Sequence, residues 1–169
     1  MNPLRSFGGV LAVCLAFLTL CGSVHAQYTL HVGGSSGVEG TNATASILFD
    51  NAGDDLRGWS FGVCTDAADL AVTGAASGST TAAINLGSPP DFESVDVFTG
   101  GVTHGVVICF TSCAVLAQGT DFELLTIDYD LIGTAGDYPV CFCDTLGTPA
   151  VPTVVVDTLS QGLAPAQIC

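Results

Sequence analysis

From Tyr28 onward the chain is written in short apolar runs rich in Val, Ile, Thr and aromatics, each cut by a cluster of Gly, Pro, Asn or Asp. That pattern predicts strands separated by turns, and no stretch shows the 3.6-residue period of an amphipathic helix. Tyr28 to Val32 reads as a first strand, the glycine-rich segment 33–37 as a loop, Thr44 to Phe49 as a second strand and 51–55 as a turn. Between Gly58 and Cys64 the residues Trp59, Phe61 and Val63 alternate with Ser60, Gly62 and Cys64; a period of two sends the first set into a core and the second outward. A corner at 66–69 leads to a strand from Leu70 to Thr73. Residues 74–90, rich in Gly, Ala, Ser and Thr, read as a long connection with a weak strand at Ala82 to Leu86. Gly105 to Phe110 places Val106, Ile108 and Phe110 on one face. Phe122 to Leu131 does the same with Leu125, Ile127, Tyr129 and Leu131, and runs at 139–144 and 153–159 complete the set. About eight or nine short strands without intervening helices predict an all-β fold, two antiparallel sheets packed face to face as a sandwich.

The first 26 residues stand apart. Arg5 lies in a short polar head, an apolar run extends from Val10 to Leu20, and Val24-His25-Ala26 offers small residues where a signal peptidase reads. About 11 apolar residues at 1.5 Å each cover only about half of a 30 Å hydrocarbon core, so the segment reads as a cleavable signal peptide rather than a membrane span. Leu18-Thr19-Leu20-Cys21 has the outline of a bacterial lipidation box, but Leu20 is bulkier than such a box accepts. The expected mature chain starts at Gln27, is secreted, and inserts in no membrane after cleavage. Taking 26 residues from 169 leaves 143, one domain with room for a core. The layout is then leader 1–26, sandwich 27–160 and a short tail 161–169.

Charge narrows the partners. All 16 acidic residues follow Ala26 and face one cation, Arg57, a formal charge of −15. Nucleic acid and anionic membranes require clustered cations, which this chain lacks. About half the residues are apolar, which separates it from acidic disordered chains. An acid-coated folded body stays soluble and suits Ca²⁺.

Six cysteines follow the leader: Cys64, Cys109, Cys113, Cys141, Cys143 and Cys169. An even count in an exported chain reads as disulfides. Strand alternation puts Cys64, Cys109, Cys141 and Cys143 on outward faces. Bridges should then lie across the outside of a sheet, with Cys109 closing on Cys113 around a tight turn, and Cys141 and Cys143 each reaching sideways to a neighbouring strand. The competing reading, zinc on the Cys109/Cys113 and Cys141/Cys143 pairs, lacks the usual Cys-x-x-Cys spacing. His31 and His104 belong to no metal-binding array and read as isolated exposed residues.

Catalytic signatures are sparse: there is no Gly-x-Ser-x-Gly elbow, phosphate loop or dinucleotide fingerprint. Asp91/Glu93, Asp121/Glu123 and Asp128/Asp130 have the look of glycosidase carboxylate pairs, yet such i, i+2 pairs arise readily on the solvated face of an acidic strand. Asn51, Asp54 and Asp55 share a turn that could offer oxygen ligands to calcium, without EF-hand spacing. Asn42-Ala43-Thr44 fits a glycosylation acceptor.

Gly58-Trp59-Ser60-Phe61-Gly62-Val63-Cys64-Thr65-Asp66 followed by Leu70, the run Gly119 to Tyr129, and Phe142-Cys143-Asp144-Thr145-Leu146-Gly147 resemble the late and central strands of the cohesin domain family, in particular cohesin-like modules of secreted bacterial proteins. The resemblance spans about Tyr28 to Leu159 and is one of apolar spacing. It implies a nine-stranded jelly roll and a non-catalytic role: attachment to a dockerin on a partner protein in an extracellular or cell-surface assembly. Carbohydrate-binding modules share the sandwich, so polysaccharide is the alternative ligand and a small glycan-active hydrolase the third reading. The chain departs from scaffolding cohesins in carrying a single module, no dockerin or anchoring segment, and many cysteines. Trp59 is the aromatic that a sugar would stack on, but its phase with Phe61 and Val63 assigns it to the core.

Overall fold

The computed structural model describes residues 26–169, so the leader up to His25 falls outside the described residues. Eleven strands and one helical turn follow in order: β1 (Tyr28–Val32), β2 (Asn42–Asn51), β3 (Leu56–Cys64), β4 (Leu70–Ser77), α1 (Ser79–Ala82), β5 (Phe92–Phe98), β6 (Gly101–Val107), β7 (Gly119–Leu131), β8 (Cys141–Phe142), β9 (Val154–Asp157), β10 (Gly162–Leu163) and β11 (Ala166–Ile168). One sheet has the order β11-β1-β2-β7-β4 and the other β10-β9-β3-β6-β5, with β8 also paired to β3. The two pack face to face over a single core. It holds Leu30, Ile47, Phe49, Leu125, Ile127 and Tyr129 from the first sheet and Trp59, Phe61, Val63, Val102, Val106 and Val155 from the second.

The period-two reading of β3 and β7 holds. Trp59, Phe61 and Val63 are buried while Ser60 and Cys64 are partly exposed, and Leu125, Ile127 and Tyr129 are buried between the exposed Asp128 and Asp130. Phe61 is the hub, meeting His104 (5.2 Å, 75°) and Phe142 (6.0 Å, 87°) edge-on, the geometry that ring quadrupoles favour.

Several expectations are corrected. Strands number eleven rather than eight or nine, because short segments pair at the margins. Residues 82–86 form no strand. Ser79–Ala82 makes one helical turn, fixed by the Thr81 hydroxyl donating to Leu124 O at 2.7 Å, and the chain then reverses through Leu86 and Gly87, both at positive φ. β6 ends at Val107. Beyond it a turn closed by the Ser112 N–H to Cys109 O bond breaks the alternation. Phe110 therefore points out at 69 % exposure, while Cys109, assigned outward, is buried. Within the tail expected over residues 161–169, β10 pairs β9 and β11 pairs β1, the latter in parallel, the one departure from antiparallel pairing among the described strands.

Three disulfides join Cys64 to Cys143, Cys109 to Cys113 and Cys141 to Cys169. The first lies diagonally on the outer side of β3 and β8, since Cys64 stands opposite Cys141 in the register. The second closes the turn after β6. The third does not stay on one sheet: Cys141 belongs to β8 and Cys169 follows β11, so this bond staples the two sheets together along an edge.

Candidate binding face

The two sheets turn different chemistry to solvent. On the β2/β7 side the outward positions are Thr44, Ser46 and Asp50 against Glu123, Thr126, Asp128 and Asp130, a hydroxyl-and-carboxylate surface. There the Thr44 hydroxyl donates to Asp128 (2.6 Å) and the Ser46 hydroxyl to Glu123 (2.8 Å). With the Ser79 N–H as its main donor and Ser46 as the second, Glu123 is held below the ordinary carboxylate pKa. Thr44, Ser46, Glu123 and Asp128 are thereby engaged with their own neighbours.

The outer side of the β9-β3-β6-β5 sheet is nearly uncharged. Register places Phe92, Val107, Gly58 and Val156 in one row, Ser94, Gly105, Ser60 and Val154 in the next, and Asp96, Thr103 and Gly62 in a third. Alternation with the buried Trp59, Phe61, Val102, Val106 and Val155 turns the first two rows toward solvent, whereas in the third Thr103 is buried and Gly62 lies under Cys143. Small residues at the centre leave this surface flat. A Cβ on Gly101 would come 2.2 Å from Val63 O, so the backbones approach too closely there for a side chain, whereas a Cβ on Gly105 would meet nothing within 4 Å. At the rim Phe92, Val107 and Phe110 add exposed apolar surface.

Beneath this face lies a buried polar chain. The Trp59 Nε1–H donates to His104 Nδ1 at 3.4 Å, His104 Nε2 bonds Glu93 Oε1 at 2.9 Å, and the Ser77 hydroxyl donates to Glu93 at 2.7 Å. An imidazole that accepts at Nδ1 carries its proton on Nε2, and so donates to the carboxylate. The His104 bond, with Ser77 as a lesser donor, keeps Glu93 below its ordinary pKa against the opposing effect of burial. His104, expected to be exposed, is completely buried. The order serine–carboxylate–imidazole differs from a nucleophile triad, in which the imidazole sits between serine and acid. Here the chain satisfies buried donors and fixes the register of β3, β5 and β6.

Asp91, Asn51 and Trp59 have structural roles. Asp91 accepts from the Phe110 N–H (2.8 Å) and from Asn85 (2.9 Å). Asn51, assigned to a calcium turn with Asp54 and Asp55, is buried. Its amide donates to the carbonyls of Asp54, Leu116 and Ala117 while its oxygen accepts from the Gly53 N–H, so this side chain holds the turn against the segment after β6. Trp59 is 3 % exposed and cannot stack on a sugar. Asn42 lies exposed at the start of β2. At one end of the sandwich a cleft of about 700 Å³ opens between segments 33–39 and 133–140, with Tyr129 in its lining. Burial raises the Tyr129 phenol pKa, and its hydroxyl has no partner. Glu39 and Asp137, the acidic residues of the lining, are exposed. The flat neutral face carries no sequence motif: its glycines and serines are legible as a surface only once strand register aligns them.

No protein-family model matches the chain, and no curated protein matches it. Solved structures do. The third ScaC cohesin of Acetivibrio cellulolyticus, in complex with the ScaB dockerin, superposes with a TM-score of 0.61 at 14 % identity, covering 83 % of this chain and 96 % of that one. A non-cellulosomal cohesin from the archaeon Archaeoglobus fulgidus gives 0.58 at 12 %, covering 85 % and 92 %. The seventh ScaB type I cohesin of Pseudobacteroides cellulosolvens gives 0.58 at 13 %, covering 83 % and 90 %. With both sheets and nearly the whole of each neighbour superposed, this chain has the cohesin fold.

Proposed function

We propose that the protein is a secreted, non-catalytic binding module that grips a dockerin-type protein partner through the outer face of the β9-β3-β6-β5 sheet, in an extracellular or cell-surface assembly. The observation that carries this reading is the contrast between the two outer faces. Interface cores are depleted in charge and mix apolar with small polar groups. Of the two faces, the one with Ser60, Gly105, Ser94, Val107 and Phe92 meets that description, while the other is studded with carboxylates that would have to be desolvated. Dockerin complexes of structural neighbours support a protein ligand. Three disulfides and the leader read from the sequence support export. Polysaccharide is the less favoured ligand, since the exposed aromatics Phe92 and Phe110 stand at the rim of the face and no line of stacking rings crosses its centre.

The test is binding of the mature, oxidised chain to a panel of dockerin modules by surface plasmon resonance, beside pull-down on insoluble cellulose and chitin. Gly105→Arg adds a long side chain where a Cβ meets nothing within 4 Å, so folding stability stays within about 0.5 kcal/mol. Dockerin binding should fall about tenfold or more, as a central obstruction excludes close contact. Retention of the chain on polysaccharide with no dockerin bound, or dockerin binding indifferent to Gly105→Arg, would refute the assignment.

A further inference from the structure

On the opposite, acidic sheet, His31 of β1, Asp50 of β2 and Asp121 of β7 bring one ligand atom each to within 4.8 Å of one another. They are far apart in sequence and meet through strand pairing: β1 and β7 flank β2, and the register between β2 and β7 shifts between Phe49 and Asn51. This irregularity, with Asp121 in a left-handed conformation (φ 55°), turns Asp121 toward Asp50, whose carboxylate accepts the Asp121 N–H at 2.8 Å. A non-glycine residue at positive φ beside a register shift is the kind of backbone feature that re-aims a side chain.

His31 supplies the observation that points to a ligand. Its Nε2 is shut off from solvent and has no hydrogen-bond partner. It faces Asp121 Oδ1 at 3.9 Å, too long for a hydrogen bond and suited to an atom between them. Ligands placed about 2.1 Å from an ion at tetrahedral or octahedral angles lie about 3.0–3.4 Å from one another, so closure requires movements of about 1 Å, within reach of side-chain rotation. Arg57, the one Lys or Arg of the described residues, lies on β3 in the other sheet and does not compete for these carboxylates.

The geometry points to a divalent transition-metal site, of the zinc class, held by His31 Nε2, Asp50 and Asp121 on the outer face of the β1-β2-β7 sheet. An imidazole with two carboxylates suits Zn²⁺ and its neighbours better than Ca²⁺, which takes oxygen donors in greater number. The metal would bind the neutral imidazole and keep coordination positions open to water. It would sit opposite the dockerin-type face, independent of that assignment. The cysteines read from the sequence as the alternative zinc ligands are all spent in disulfides.

The experiment titrates Zn²⁺ alone into the oxidised mature chain at neutral pH by isothermal calorimetry, with Ca²⁺ as the comparison ion and Co²⁺ absorption to report nitrogen ligation. One equivalent of Zn²⁺ should bind, more tightly than Ca²⁺. His31→Gln and Asp121→Asn should each weaken it about tenfold or more, since loss of a ligand costs at least as much as loss of an outer-shell partner. Asp130→Asn, which removes an exposed carboxylate of the same sheet outside the trio, should leave it unchanged. Circular dichroism in EDTA checks that each variant folds; Asp121, on the surface, keeps the test open if the His31 variant does not. Zn²⁺ affinity equal in His31→Gln and wild type means diffuse attraction to acidic surface and overturns the site, as does the lack of a stoichiometric binding event.

Discussion

Removing the disulfides one at a time should destabilise the chain in an order set by how much unfolded chain each bond closes. The bridges span 79, 28 and 4 residues for Cys64–Cys143, Cys141–Cys169 and Cys109–Cys113. Loop-closure entropy at 25 °C then gives about 4.5, 3.6 and 1.9 kcal/mol of lost stability respectively. Each pair is replaced by alanine. The one bias in the series is Cys109, which is buried, so its loss adds a packing cost of about 0.8 kcal/mol and brings the third value to about 2.7. The order survives that addition. Trp59, the sole tryptophan and buried in the core, makes its fluorescence a direct probe of urea unfolding. With a slope of about 2 kcal/mol per molar urea, midpoints should fall by about 2.2, 1.8 and 1.3 M. If the Cys109/Cys113 variant proves the least stable, or all three shift equally, constraint of the unfolded chain is not what these bonds contribute.

Glu93→Gln tests the buried polar chain. The His104 bond lowers the Glu93 pKa in the folded state, so its contribution is complete above the unfolded value near 4.5 and is lost as pH falls through the lower folded value. Wild type should therefore lose more stability than Glu93→Gln between about pH 5 and pH 3, read by thermal unfolding across that range; parallel curves would remove Glu93 from the account. Trp59→Ala should cost about 3–5 kcal/mol in chemical denaturation, because a 3 %-exposed ring leaves a cavity, while the fraction that stays folded binds its ligand unchanged. A selective loss of polysaccharide binding at full stability would show instead that Trp59 is a surface ligand.

Much of the sandwich was legible in local pattern, because a sheet with one face in a core and one in water must alternate with a period of two. That constraint acts residue by residue on β3 and β7, and Trp59, Phe61, Ile127 and Tyr129 lie where it puts them. It fails where the chain leaves the ladder. In the turn after β6 the alternation stops, and Cys109 and Phe110 exchange the sides that a continued strand would assign. Short marginal strands such as β10 and β11 hold two or three residues, too few to show any period, and exist because an edge of a sheet offers them unpaired backbone groups.

Sequence alone determined the fold class, the side that each long strand gives to the core, the acidic exterior and an even set of cysteines fit for oxidation. Tertiary structure decided which cysteines meet, that His104 is interior and partnered by Trp59 and Glu93, and that one outer face is neutral while the other gathers His31, Asp50 and Asp121. The division has a physical cause. Burial pattern is written along a single strand, whereas register between strands distant in the chain is fixed by the packing of the whole sandwich, and every site in this molecule is assembled across strands.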